Sequence, residues 1–252
     1  MGRLVINELY KIFKKKSIYV LGIITFLFMV LSMFLYKDMS SSDLISSEFN
    51  RSVIFVMISI IMISSTIVSD EYNGTIKQLL IKPYKRYEIL LSKLISCFVV
   101  FVLFFLYYFI LCVVCYGIVG DFKDYMDVVV VNGKSINVLK YVLFTILGSL
   151  PEYLIILSVC FCSSVLFNSS SSLVIGFFSY FGSVMLNTLI INNAIKYLYW
   201  VPSMCWNLNE YLFGDGFKYC SMRVCLLVDV LVFVLLIVLS FVVFCRKDIK
   251  NA

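Results

Sequence analysis

Six long apolar stretches divide this 252-residue chain, at 17–36, 52–68, 94–119, 139–167, 173–191 and 222–244, and they restrict sharply the solvent it can fold in. A helix needs about 20 apolar residues to cross roughly 30 Å of hydrocarbon, because each residue advances it by about 1.5 Å. The stretches are continuous and lack the alternating pattern of a membrane barrel, so helices are the expected form. Hydrophobic side chains make up 62% of the sequence and charged ones only 14%, with a mean hydropathy of +1.00, far above that of a soluble domain. The expected fold is an all-α integral membrane protein, with 1–252 as one transmembrane domain containing six transmembrane helices.

Thirteen of the 21 Lys and Arg lie before Ser17, within 69–93 or after Phe244, and eight lie in the other connections or at their edges. The positive-inside rule then places both termini in the cytoplasm. Of the 15 acids, five fall on that inner side and eight on the outer, while Glu152 and Asp229 fall within spans. This balance suits an anionic inner leaflet and gives no reason to expect nucleic acid. The first apolar stretch is too long for a secretory signal and has no small-x-small site near 34–37, so it is expected to remain as a span. Ile6 stands where a myristoylation signal needs Ser or Thr.

Ahead of that span, residues 1–16 read as an interfacial amphipathic helix. Val5, Ile6, Leu9, Ile12 and Phe13 fall on one side of a helical wheel, with Asn7, Glu8, Lys11, Lys14 and Lys15 on the other. Such a helix serves as a topology anchor or, more specifically, as a lever close to a cytoplasmic partner.

The strongly polar insertion is 69–93, SDEYNGTIKQLLIKPYKRYEILLSK. Within it Ile76, Leu79 and Leu80 have i, i+3, i+4 spacing, so a short helix after Gly74 and Thr75 presents a small apolar face, and Pro83 ends it. Thr75 can cap the start, and Lys82, Lys85 and Arg86 place positive charge where the chain returns to the membrane. Two turns are too few to stand alone, so this helix needs a surface to lie on.

The run Glu71-Tyr72, Gly74-Thr75, Lys77, Leu79-Leu80, Pro83, Arg86, Ile89 and Lys93 resembles the loop between the second and third spans of permease subunits of type-2 ATP-binding-cassette transporters. The amphipathic start Asn7-Glu8-Leu9-Tyr10-Lys11-Ile12-Phe13, the six spans, a large outer segment at 192–221 and the closing Arg246-Lys247-Asp248-Ile249 are similar to small bacterial members of the antibiotic- or bacteriocin-resistance and sodium-export types. The resemblance implies a dimeric exporter in the bacterial cell membrane, surrounded by lipid. Its loop helix, carried by Glu71, Gly74, Thr75, Ile76, Lys77, Leu79, Leu80, Pro83 and Arg86, docks on a separate ATPase chain that binds ATP and Mg. It also implies partly re-entrant helices in 192–221 that close the exit path.

The residues agree that ATP hydrolysis belongs to another chain. The only Gly-Lys-Ser is Gly133-Lys134-Ser135, and Val128 stands where a phosphate-cradling loop needs its first Gly. Val128–Val131, Asn132-Gly133 and Lys134–Val138 read instead as a small outer hairpin. The chain has no His, which excludes Ser-His hydrolase triads, His-ligated zinc and the His-dependent metalloprotease motifs, and no cofactor or metal is expected in this chain. Most of the nine Cys lie in spans as small apolar residues, Cys112-x-x-Cys115 among them, while Cys205 and Cys220 share the outer segment and are candidates for a disulfide.

Intramembrane acids are functional candidates by default. Ser149-Leu150-Pro151-Glu152 fits a capping box at the start of a helix running to Phe167, which favours a capping role for Glu152 and makes 139–148 a separate short helix. The alternative is one long helix kinked at Pro151 with Glu152 facing a cavity. Asp229 either bonds a neighbouring helix or contacts a cationic substrate. Trp200 and Trp206, among the aromatics of 192–221, fit a membrane-edge cap or a substrate path. Ser172, Gly176, Ser179 and Ser183 form a small-residue stripe suited to close helix contact and to a dimer seam.

The expectation is a non-enzymatic permease subunit of an ATP-driven exporter, acting as a dimer of identical or related permeases. Its first cargo class is a peptide antibiotic, bacteriocin or amphipathic drug, with sodium or lipid-linked cargo second. A non-transporting membrane sensor or scaffold would share the same spans and charges, whereas a channel finds no polar stripe or carbonyl filter in any span.

Overall fold

The computed structural model describes residues 2–35, 54, 56–66, 85–119, 128–131, 134–192, 201–206, 208, 211–212 and 221–246. Those residues are almost entirely helical. In chain order they form α1 (Gly2–Lys14), α2 (Lys16–Leu35), α3 (Val56–Thr66), α4 (Arg86–Val119), the strands β1 (Val128–Val131) and β2 (Lys134–Asn137), then α5 (Val138–Leu166), α6 (Ser169–Asn192), the short α7 (Pro202–Cys205) and α8 (Met222–Arg246). Four of these helices, α4, α5, α6 and α8, are long and apolar enough to cross a membrane, and α2 and α3 supply shorter apolar helices of the same character. This is a multi-pass helical membrane protein.

Burial separates the helices by role. In the most apolar window of α5, 59% of residues are buried within the chain, against 11% in α8, so α5 forms the middle of the bundle and α8 lies at its periphery. α3 is also central: Met57, Ile60, Ile61, Ser64 and Ser65 are all buried, as expected for a helix without a solvent face. α8 and α6 each pack against α5, while α1 and α2 pack against α4. Phe101 and Phe105 of α4 meet Tyr153 of α5 with ring centroids 5.8 Å and 6.1 Å apart, close to the separations favoured by aromatic pairs. Ser64, Thr145, Ser149 and Ser158, inside these apolar helices, donate their hydroxyls back to carbonyls three or four residues earlier, which satisfies them without a partner helix.

The hairpin forms as the sequence indicates. β1 and β2 are antiparallel with Val128 opposite Asn137 and Val131 opposite Lys134, and the strand leads straight into α5.

Two expectations are corrected here. The separate helix at 139–148 does not exist, because α5 runs unbroken from Val138 to Leu166 with Pro151 inside it. Ser149 does not cap: its hydroxyl donates to Thr145 O at 2.9 Å, one turn back in the same helix. A proline within a membrane helix is tolerated when neighbouring groups take up the freed backbone, and in the disturbed turn Gly148 O accepts a bond from Leu208 N at 3.0 Å. The second correction concerns 69–93, whose last eight residues are helix: α4 begins at Arg86, ahead of the apolar stretch at 94–119.

Candidate functional site: the foot of the fourth helix

α4 is 34 residues long, about 51 Å at 1.5 Å per residue, which exceeds the hydrocarbon thickness by several turns. Its first turns therefore project beyond the apolar layer toward the polar insertion. The helix start is fixed locally. Glu88 Oε2 accepts a bond from Lys85 N at 3.0 Å, while Glu88 N donates to Lys85 O at 3.0 Å, so a side chain in the first turn reaches back to the residue that opens the helix. Arg86 Nη1 donates to Cys245 O at 3.2 Å, joining this end of α4 to the last turn of α8.

Two turns further on, the foot of α4 is gripped by α1. Lys93 is fully buried, and its Nζ pairs with Glu8 Oε2 at 3.1 Å; Glu8 is itself only 5% exposed and holds Lys11 Nζ at 2.8 Å through its other oxygen. Ser96 Oγ donates to Ser92 O at 2.8 Å and, more weakly, to Val5 O at 3.4 Å across the same seam. Removing one member of a buried ion pair typically costs about 3–5 kcal/mol, since the other is left charged and unpaired. The contact is thus a fastening between the amphipathic helix and the span that leaves the polar insertion.

The wheel of α1 is correspondingly different from the expected two-sided one. Leu4, Glu8 and Ile12 form the buried face against α4, Ile6, Tyr10 and Phe13 are exposed on a second, apolar flank, and Arg3, Lys11 and Lys14 lie on the polar side. Glu8, assigned by the wheel to the polar side, is the acid in the middle of the packed stripe.

The candidate residues named from the sequence are placed unevenly. Glu71, Gly74, Thr75, Ile76, Lys77, Leu79, Leu80 and Pro83 lie outside the described residues, as do Trp200 and Cys220. Arg86 is at the start of α4, as above. Glu152 sits inside α5, facing the protein interior, and Tyr153 beside it belongs to the aromatic cluster. Asp229 is 4% exposed on α8, and neither of its buried carboxylate oxygens has a hydrogen-bond partner among the described residues. One turn toward the N-terminus of α8, Cys225 packs with Cys205 and Leu208, so the outer segment covers the face that carries Asp229. Trp206 follows α7 with its indole N–H buried and unpaired among the described residues. Ser203 Oγ donates to Asn187 Oδ1 at 2.9 Å and Asn187 Nδ2 donates to Ser203 O at 3.0 Å, which clamps α7 to α6.

The small-residue stripe makes close contacts within the chain at Ser172, Gly176 and Ser183. Ser172 Oγ bonds Cys160 O at 3.0 Å and Ser163 Oγ at 2.8 Å, and a Cβ at Gly176 would come within 2.5 Å of Cys160 Sγ and 2.8 Å of an Ile61 methyl. Ser183 is buried too, and Ser179 half-buried with its hydroxyl turned back to Ile175 O. The stripe lets α6 approach α5 and α3 closely, leaving Val174, Phe178, Phe181 and Met185 exposed on its outer face.

A family model described as ABC-2 family transporter protein matches residues 4–183, from α1 to the later turns of α6. The chain belongs to this family. ABC-2 proteins are membrane components of transporters that work with an ATP-binding partner, and the matched region contains the whole α1–α4 fastening together with α5. No curated protein matches this ABC-2 chain significantly.

Glu8 and Lys93 were not singled out as a pair by the sequence. A signal was present in part: Glu8 falls midway between Leu4 and Ile12, each four residues away, on what is otherwise an apolar stripe.

Proposed function

We propose that this ABC-2 chain is the permease subunit of an ATP-driven exporter in a bacterial cell membrane, with six spans, both termini cytoplasmic and the segment 69–93 docking on the ATPase. The observation that carries this reading is the unbroken course of α4 from Arg86, at the end of that segment, into the lipid-spanning bundle, with the buried Lys93–Glu8 pair fastening it to α1. A helix transmits displacement along its axis, so force received at the insertion reaches the bundle without an intervening joint. Two permease copies, or one with a related subunit, would sit over two ATPase domains, which bind ATP and Mg; closure of those domains would push the segment around Ile76, Leu79 and Leu80 and shift the helices beyond it.

The buried acids Glu152 and Asp229 favour a cationic cargo, which suits a cationic amphipathic peptide antibiotic or drug first and sodium second. Affinity purification of the full chain from its native membranes, followed by assay for nucleotide hydrolysis, tests the reading. An ATPase subunit is expected to copurify and to be lost when Leu79 and Leu80 are both changed to Asp. A chain that copurifies with no nucleotide-binding subunit would be a sensor or scaffold instead.

A further inference from the structure

A groove of about 420 Å³ opens between α2 and α4, within the size range of small-molecule sites. Ile18, Gly22 and Phe26 form one wall, Val100, Phe104 and Tyr107 the other, and Phe13 of α1 closes one end. Its walls are hydrocarbon. The hydroxyl of Tyr107 is already engaged, donating to Gly22 O at 3.0 Å, so the wall offers a ligand little polar bonding. Gly22 widens the groove, since a glycine there leaves the space that a side chain would fill.

The end closed by Phe13 is chemically opposite. Between Phe13 and Ile18, both lining the groove, the chain runs Lys14-Lys15-Lys16 through the break between α1 and α2. Lys14 and Lys16 are exposed, and Lys14 Nζ lies 6.0 Å from the exposed Tyr10 ring, with no carboxylate paired to it among the described residues. An apolar slot whose lining residues Phe13 and Ile18 are joined by a run of three lysines complements one class of molecule in a bilayer: an anionic phospholipid with one acyl chain along the groove and its phosphate at the lysines.

We propose that the groove between α2 and α4 is a specific site for an anionic phospholipid of the leaflet facing the N-terminus, selected by Lys14 and Lys16 and held by the slot that Gly22 opens. Occupancy would brace α2 against α4, close to where α1 grips the foot of that helix. The site is independent of the cargo, and its test requires no transport.

Native mass spectrometry of the full chain in detergent decides it, with dioleoyl phosphatidylglycerol and dioleoyl phosphatidylcholine added separately. Phosphatidylglycerol is expected to be retained at one copy per chain with at least a tenfold preference. In Lys14→Gln/Lys16→Gln that preference should fall to near unity, each lysine contributing roughly three- to fivefold, with phosphatidylcholine binding unchanged. Gly22→Leu should abolish retention of both lipids. Gly22→Ala, whose added methyl would lie 3.9 Å from Tyr107 and so meets no clash, should fold normally and weaken both. Equal binding of the two lipids, or a preference untouched by the lysine changes, would overturn the proposal. So would competition by glycerophosphoglycerol at the same strength as the lipid, which would make the site a phosphate site without a chain.

Discussion

Glu8 and Lys93 are 85 residues apart, and the geometry of their pairing gives a prediction with a sign. Glu8→Gln leaves Lys93 charged and without its carboxylate in a fully buried position, and should destabilise the α1–α4 contact by about 3–5 kcal/mol. Lys93→Met removes the other partner, but Glu8 still holds Lys11, so the loss should be smaller. The double variant Glu8→Leu/Lys93→Met should be close to wild type, because an apolar pair of similar volume replaces a buried ion pair at little cost. Thermal unfolding of the detergent-solubilised chain measures all three; losses that simply add would show that the two residues are not coupled. Gly176 carries a second prediction at the same scale. Gly176→Ala brings a methyl into Cys160 Sγ and an Ile61 methyl, and overpacking of this kind costs about 1–3 kcal/mol. Cys160→Ala in the same chain should recover part of that loss by removing the nearer of the two obstructing atoms. Neither contact could be read from residue identities alone: a wheel assigns Glu8 to a side by its charge, and only the position of α4 shows that the charge has a buried partner.

At the scale of elements, the parts set by local chemistry were legible and those set by neighbours were not. The hairpin follows from the valine run ahead of Asn132-Gly133, α1 from its apolar periodicity, and the long helices from uninterrupted apolar length. The start of α4 at Arg86 was missed because Tyr87, Glu88 and Lys93 look like loop residues by polarity, although Glu88 closes the first turn onto Lys85 N. The break expected at Ser149 does not occur, for the opposite reason. A four-residue capping pattern was read where Thr145 O offered the hydroxyl a bond within a continuing helix. The small-residue stripe was correctly read as a close-contact surface, but the sequence does not say whether that contact lies within the chain or between copies. The clamp between α6 and α7 gives the prediction belonging here. Asn187 and Ser203 satisfy each other through two bonds, so Ser203→Ala should cost about 1–3 kcal/mol by leaving the amide oxygen without its donor. The buried Cys205 should then react faster with a maleimide, read by mass spectrometry at that residue; an unchanged rate would show that α7 is held by apolar packing alone.

For the whole molecule, the question is how rigidly the polar insertion is joined to the bundle. Three attachments act within the first turns of α4: the Glu88 cap, the Arg86 bond to the last turn of α8, and the Lys93–Glu8 fastening to α1. Together they join α1, α4 and α8 at the foot of α4. If the insertion transmits the closure of an ATPase, the section between Arg86 and Lys93 has to resist bending. Glycines there should uncouple the two ends. Tyr87→Gly/Glu88→Gly removes the cap and lowers helix propensity by about 0.5 kcal/mol per position, in a section where Tyr87 is exposed. The expected outcome in a reconstituted complex is an ATPase subunit that still binds and hydrolyses ATP, with export per ATP reduced several-fold. Tyr87→Ala/Glu88→Gln, which keeps helix propensity, should export nearly as well as the unaltered chain. Equal export from the two pairs would mean that the stiffness of this section is irrelevant to coupling, and that force enters the bundle by another route.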